Sequence, residues 1–232
     1  AATGLRPIAE LMFCDFLTVG MDQLVNQAAK MRYMFGGKIS LPMVVRLPAG
    51  AGTGAAAQHS QSLEAWLTHV PGLKVVYPSC AEDALGLMLT AIDDNDPVMY
   101  FENKVLLGMK SEVNSFDPIP LGKGKICREG SDLSIITYGK QVYDALEAAE
   151  KLAQDGVSVE VVDLRSLYPL DKDLIGDRQQ DPPRSGRHRG GQARRLRRRD
   201  KRHHRRGAVR LPRRPRGAHR CAGHPCPLCT CA

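Results

Sequence analysis

His59 closes a loop of small residues, "AGAGTGAAAQHSQS" at 49–62, and is the residue best suited to move a proton. An imidazole titrates near neutral pH and serves as acid or base. Glycine and alanine let a ligand approach the backbone closely. The same pattern also suits a loop histidine that merely precedes the next helix. The glycines form no phosphate loop, because no Gly-Lys-Ser/Thr follows "AGAGTG" and no acid stands at dinucleotide spacing. "ELMFCDF" and "KMRYMFGG" supply Phe13, Phe16, Tyr33 and Phe35, which serve either as core or as ring contacts to a cofactor. "AIDDNDP" at 91–97 reads as a helix running out into a turn. Its last carbonyls are unpaired and partly negative, so the place suits a cation or a set of solvated acids. Trp66 and His69 are expected on the packed face of a short helix.

Several elements must hold these residues. "LRPIAELMFCDF" is an apolar, strand-like run that leads into a helical pattern, "MDQLVNQAAKMRYMF". There Leu24, Val25, Ala28, Ala29 and Met31 to Tyr33 recur at helical spacing, and Gly36-Gly37 stops the helix. "LPMVVRLP" is a strand buried on both faces. A short helix over 63–69 and a strand "GLKVVYP" follow. "SCAEDALGLMLTAI" opens with Ser79 as N-cap and Glu82 three residues on, a capping box. "DPVMYFEN" is a further strand. Strands alternating with helices, each strand nearly all apolar, predict a parallel α/β sheet over 1–107. Residues 108–130, rich in Gly and Pro, read as a linker. A second α/β unit over 131–177 combines "LSIITYG", the helix "QVYDALEAAEKLAQDG" and "VSVEVVDLRSL". In that helix Val142, Leu146, Ala149, Leu152 and Ala153 form one face, and Gly156 ends it.

Charge divides the chain of 232 residues unevenly. From Arg178 onward there are 17 Arg and one Lys against two Asp, while residues 1–177 hold 15 basic and 23 acidic residues. Three readings compete for the basic end. The first is a nucleic-acid arm working through phosphate contacts. The second is a metal module of Cys221, Cys226, Cys229 and Cys231 with His224, whose spacing lacks the paired knuckles of zinc sites. The third is a shift of reading frame after about residue 177, favoured because the segment contains no Glu, Ile, Phe, Tyr, Met, Asn or Trp. Read one base out of register, its codons also permit a sequence that continues the second unit. Such an arginine-rich, apolar-poor segment is expected to stay disordered. Cys14, Cys80 and Cys127 read as thiols of a cytoplasmic protein. No apolar run is long enough to span a membrane and no signal peptide opens the chain. The chain lacks an initiating Met and begins within a pattern, as a fragment would.

Together, "GLRPIAELMF-DF", "MDQLVNQAAKMRYMFGG", "AAQHSQSLEAW--H-PGLKVV-PS", "AI-DNDPV---ENK-L", "DLSIITYG" and "VVDLRSLYPLD" resemble the β-type subunit of the thiamine-diphosphate-dependent 2-oxo acid dehydrogenases, of pyruvate, acetoin and branched-chain type. The resemblance implies a transketolase-type pyrimidine-binding domain and the start of a transketolase C-terminal domain. It implies that His59 lies where the lipoyl arm meets the cofactor, and that Phe16 and Tyr33 contact the aminopyrimidine. It further implies a structural potassium ion on backbone carbonyls of Ala91, Asp94 and Asp96, with the strand near Met43. Thiamine diphosphate would be shared with an α partner that holds the magnesium, in an α2β2 assembly bound to a lipoyl-bearing acyltransferase core. The family's activating glutamate lies upstream of "GLRP", where this sequence begins, and no G-D-G motif occurs. The chain by itself is therefore expected to be inactive. "LMFCDF" and "LTHVPGLKVV" lean towards the acetoin branch.

Overall fold

The structure, a computed structural model, describes residues 1–180. Two sheets carry the fold, one of five strands and one of three. The first contains β1 (Ile8–Glu10), β2 (Val44–Ala49), β3 (Lys74–Val76), β4 (Val98–Asn103) and β8 (Ser166–Tyr168), in the order β1-β2-β4-β3-β8. The first four run parallel, and β8 closes the edge antiparallel to β3. The second contains β5 (Lys125–Arg128), β6 (Leu133–Thr137) and β7 (Val159–Asp163), with β6 parallel and β5 antiparallel to β7.

Side-chain alternation explains why the first sheet is covered on both faces. Val45, Leu47, Ala49, Met99 and Phe101 turn to one side, where Leu17, Leu24, Ala29, Leu63 and Leu67 pack on them. Val44, Val98 and Tyr100 turn to the other, against Leu87 and Ala91. The first covering layer comprises α1 (Leu17–Asp22), a π-helical stretch (Gln23–Ala28) and α2 (Ala29–Met34), which follow without a break, and α3 (Glu64–Thr68). The second is α4 (Ala81–Asp93). Gly72 seals the first layer: its φ is +97°, and a Cβ there would lie 2.0 Å from the carbonyl oxygen of Ala29. In the second unit α5 (Gln141–Gln154) buries Val142, Ala145 and Ala149 against Val159 and Val161. α6 (Lys172–Gln180) ends the described chain.

Several expectations change. β1 is an exposed edge strand of three residues, far shorter than the apolar run suggests. The π-helical stretch adds a residue to the turn and rotates the helix beyond it, so Leu24, Ala28 and Ala29 are buried whereas Tyr33 is 86% exposed. Trp66 and His69 face outward, and Glu64 is buried with Leu63 and Leu67. Ala153 is exposed, and α5 buries Ala145 instead. The expected linker contains β5, and the strand predicted to run through residue 167 breaks at Arg165 so that β8 joins the first sheet. Residues 177–180 fall inside α6, while the basic segment beyond residue 180, with Cys221, His224, Cys226, Cys229 and Cys231, lies outside the described residues.

Ser79 does not cap α4; Cys80 holds that position without a side-chain cap. The Ser79 hydroxyl instead donates to Asp163, at the end of β7, and Tyr143 of α5 donates to the Ser79 carbonyl at 3.0 Å. A polar seam thus joins the two sheets. Burial pushes the Asp163 carboxyl up to about 6 from its ordinary 3.8, although Ser79 and the Arg165 amide favour the charged form. The unfolded chain releases this proton near 3.8 and the folded chain near 6. The folded state therefore holds more protons across that window, and this group's contribution to stability falls as pH rises through it. Asp163→Asn keeps the size and removes the charge. The stability difference between variant and parent is expected to grow in the variant's favour from near zero at about pH 4 to about 1–3 kcal/mol at about pH 7. Urea unfolding at the two pH values measures it.

Candidate functional site

The loop that carries His59 leaves β2 at its C-terminal end. Gly50 can make the turn because its φ is +92°, and a Cβ there would lie 2.8 Å from the Asn103 amide. The Gly50 amide donates to the Gln61 carbonyl at 2.9 Å, closing the loop on itself. Ala56 sits at φ 63°, ψ −175°, a conformation that costs about 1–3 kcal/mol for a residue with a Cβ. It aims its carbonyl at the His59 amide (3.3 Å) and the Ser60 hydroxyl (2.7 Å) and so starts the single helical turn Ala57–His59.

That turn brings the imidazole against two rings. Phe13 and His59 meet edge-to-face at 4.4 Å, Phe16 and His59 at 5.6 Å, and Phe13 and Phe16 at 6.0 Å. Phe16 stays 37% exposed and His59 partly so, leaving a ring-lined surface open to a ligand. Phe13 precedes the short turn Cys14–Phe16 and Phe16 ends it, at the start of the first covering helix. Asp15 in that turn is buried, and its Oδ1 accepts the Ser60 and Gln61 amides, each at 3.2 Å. The Cys14 thiol donates to the Gln61 carbonyl at 3.2 Å; burial pushes it up to about 11, so it keeps its proton at neutral pH. From the end of β4, the Lys104 ammonium donates to the His59 carbonyl and lies 5.0 Å from the centre of the Phe13 ring.

The site thus lies at the C-terminal ends of β2 and β4, the edge where open parallel sheets receive ligands. Behind it Glu64 Oε1 accepts a hydrogen bond from the Tyr138 hydroxyl at 2.9 Å, and its Oε2 is, among the described residues, a buried oxygen without a protein partner. A ring system fits the Phe13–Phe16–His59 surface. Among the described residues, no cluster of His, Cys, Asp and Glu suits a metal ion.

His59 and Phe16 are therefore brought together; Tyr33 is not with them. It lines a separate cavity of about 550 Å³ with Gly72, Lys74 and Pro97, at the N-terminal ends of β3 and β4. Six residues of β4 lie between that end and the His59 loop, a rise of about 20 Å.

The residues expected to hold potassium do gather at one turn, but a guanidinium is already there. Arg6 donates to the carbonyls of Ile92 (2.8 Å) and Asp94 (2.9 Å) and to Oδ1 of Asn95 (3.1 Å). The Met43 carbonyl accepts the Val98 amide at 2.9 Å. The carboxylates of Asp94 and Asp96 pair with Lys74 at 2.7 and 3.2 Å, and Asp96 also with Arg32 at 2.8 Å. Of the carbonyls expected to hold the ion, Arg6 thus takes that of Asp94. Exchanging K⁺ for Na⁺ at fixed ionic strength is expected to leave the unfolding temperature unchanged. In Arg6→Ala, by contrast, that temperature is expected to rise with added K⁺; calorimetric scans check both.

The sequence pattern singled out His59 and the rings but missed Asp15 and Lys104 as site residues. An acid inside the apolar run "LMFCDFL" was the available signal, since a carboxylate is rarely buried without partners.

Residues 1–110 match the transketolase pyrimidine-binding domain and residues 122–183 the transketolase C-terminal domain. The chain is 56% identical over 176 residues to the acetoin:2,6-dichlorophenolindophenol oxidoreductase subunit beta of Cupriavidus necator, covering 75% of this chain and 52% of that protein. It is 51% identical over 176 residues to the pyruvate dehydrogenase E1 component subunit beta of Rickettsia felis, covering 75% of this chain and 54% of that protein. The chain thus spans about half the length of the curated relatives it matches. A solved structure titled "Split gene transketolase, inactive beta4 tetramer" superposes with a TM-score of 0.63 at 26% identity, over 77% of this chain and 55% of that one. No helix among the described residues is long and apolar enough to cross a membrane.

Proposed function

Because the chain belongs to the transketolase-type family of thiamine-diphosphate-dependent dehydrogenase β subunits, we propose that it supplies the ring-binding and proton-transfer face of an acetoin or 2-oxo acid dehydrogenase. The single observation that carries this reading is the convergence of His59, Phe13 and Phe16 at the C-terminal edge of the first sheet. Thiamine diphosphate, when bound, stabilises the negative charge left on carbon after a C–C bond breaks. An α-type partner would hold its diphosphate and magnesium.

This chain's own residues do the rest. Phe16 offers its exposed ring to the aminopyrimidine, and Phe13 holds the His59 imidazole on its edge. Tyr33 is left out of this face because its cavity lies at the other end of the strands. When a lipoyl disulfide accepts the acyl group, one sulfur bonds to the acyl carbon, the S–S bond breaks, and the other sulfur leaves as a thiolate. His59 delivers the proton that turns this thiolate into a thiol. Arg6 balances part of the partial negative charge at the end of α4. Acetoin is the favoured donor, in line with the sequence leaning to that branch.

The test joins a version of the chain extended at its N-terminus to include the family's activating glutamate to an α-type partner with thiamine diphosphate, and follows reduction of 2,6-dichlorophenolindophenol with acetoin, pyruvate or a branched-chain 2-oxo acid. Turnover fastest with acetoin supports the proposal. A complex that binds the cofactor and turns over none of the three contradicts it.

A further inference from the structure

Asp15 occupies an unusual position for a carboxylate. It is 5% exposed, inside an apolar run, and stands between the two rings of the site. A buried charge is costly unless hydrogen bonds replace its water. Here they do: Oδ1 accepts the backbone amides of Ser60 and Gln61, each at 3.2 Å. These follow His59 directly, and neither amide belongs to a helix or strand that would otherwise satisfy it.

We propose that Asp15 is the positioning residue of His59, tying the histidine loop to the turn that carries Phe13 and Phe16 so that imidazole and ring face move as one unit. This rests on the reading of His59 given above and names the residue that sets its geometry. Charged acceptors make stronger bonds to amides than neutral ones, and two amides on one oxygen fix the direction in which the chain leaves residue 59. Two further contacts support the tether. Cys14 donates to the Gln61 carbonyl from the same turn, and Lys104 donates to the His59 carbonyl from β4. Although burial pushes the Asp15 carboxyl up, hydrogen bonds from Gln61 and Ser60 outweigh it and hold the group below its ordinary value. It therefore stays an ionised acceptor at neutral pH. The backbone also needs the restraint: Ala56, three residues before His59, holds a positive φ that the free loop would abandon.

The experiment is backbone amide hydrogen exchange on the full chain, followed by turnover in the assembled complex with a lipoyl domain as acceptor. In the unmodified chain the Ser60 and Gln61 amides are expected to exchange at least tenfold more slowly than exposed loop amides. Asp15→Ala is expected to release both by tenfold or more while Val45 and Leu47 in β2 keep their protection. Asp15→Asn, which retains the acceptor, should restore most of it. In the complex, Asp15→Ala should lower kcat about tenfold or more with little change in KM, again with rescue by Asn. Solvent-speed exchange of the two amides in the unmodified chain overturns the proposal, whatever the variants do. Equal loss of protection in β2 also overturns it, because Asp15 would then merely support the fold. If Asp15→Ala frees the loop yet turnover is unchanged, the tether stands and the role given to His59 falls.

Discussion

Replacing His59 by Ala is expected to lower turnover of the assembled complex with a lipoyl domain as acceptor by about 10²- to 10⁴-fold, the usual cost of losing a positioned acid or base. Folding should hardly notice. The imidazole is partly exposed and its stabilising contacts are the edges of Phe13 and Phe16; losing them costs about 0.5–1.5 kcal/mol. His59→Gln keeps the bulk and a hydrogen-bonding end but cannot carry the proton, so it should be nearly as slow as Ala. A loop histidine of no catalytic consequence would show the reverse, with both variants near full activity. Turnover and urea midpoints on the same preparations separate these outcomes.

The second large effect concerns stability. Arg165 lies where the chain passes from β7 to β8, at φ 55°. Its guanidinium pairs with Asp83 at 3.0 Å, where the two side chains are 12% and 2% exposed, and also donates to the carbonyls of Lys123 and Gly124 at 3.1 and 2.9 Å. Arg165→Ala strands the Asp83 carboxylate in the interior, and removing one partner of a buried pair costs about 3–5 kcal/mol. That is a large share of the roughly 5–15 kcal/mol typical of a domain, and should lower the unfolding temperature by about 6–20 °C. Arg165→Lys should recover little, because a point cation cannot reach Asp83 and both carbonyls together. Adding Asp83→Asn to Arg165→Ala should return part of the loss by removing the stranded charge. Additive losses in that pair of variants would show that the interaction is weak.

The parallel core was legible in the sequence because its signals are local. "LPMVVRLP", "GLKVVYP" and "DPVMYFEN" are apolar runs bounded by Pro and Gly, and they became β2, β3 and β4. The His59 loop was legible for the same reason, since glycines and a histidine at a strand exit announce themselves. What escaped depends on partners far along the chain. Ser79 and Glu82 have the spacing of a capping box, but Asp163 lies 84 residues away and takes the Ser79 hydroxyl instead. Tyr33 carries the helical period of its neighbours, yet one π-helical stretch upstream turns it outward. Glu64 reads as a surface acid until Tyr138, from the second unit, closes over it. Arg6 resembles any exposed cation until the fold brings the end of α4 against it. Most of these cases turn on a contact of high sequence separation, which no local pattern encodes.

The most direct test of the central claim, that His59 serves acyl transfer to lipoyl at the face it shares with Phe13 and Phe16, is a split of the reaction in the His59→Ala complex. Donor consumption is measured in a single turnover without lipoyl acceptor, and acyl transfer is then measured on adding a lipoyl domain. Donor consumption is expected within about threefold of the parent, and acyl transfer slower by at least about 100-fold. Equal slowing of both steps, or transfer at the parent's rate, would contradict this role for His59.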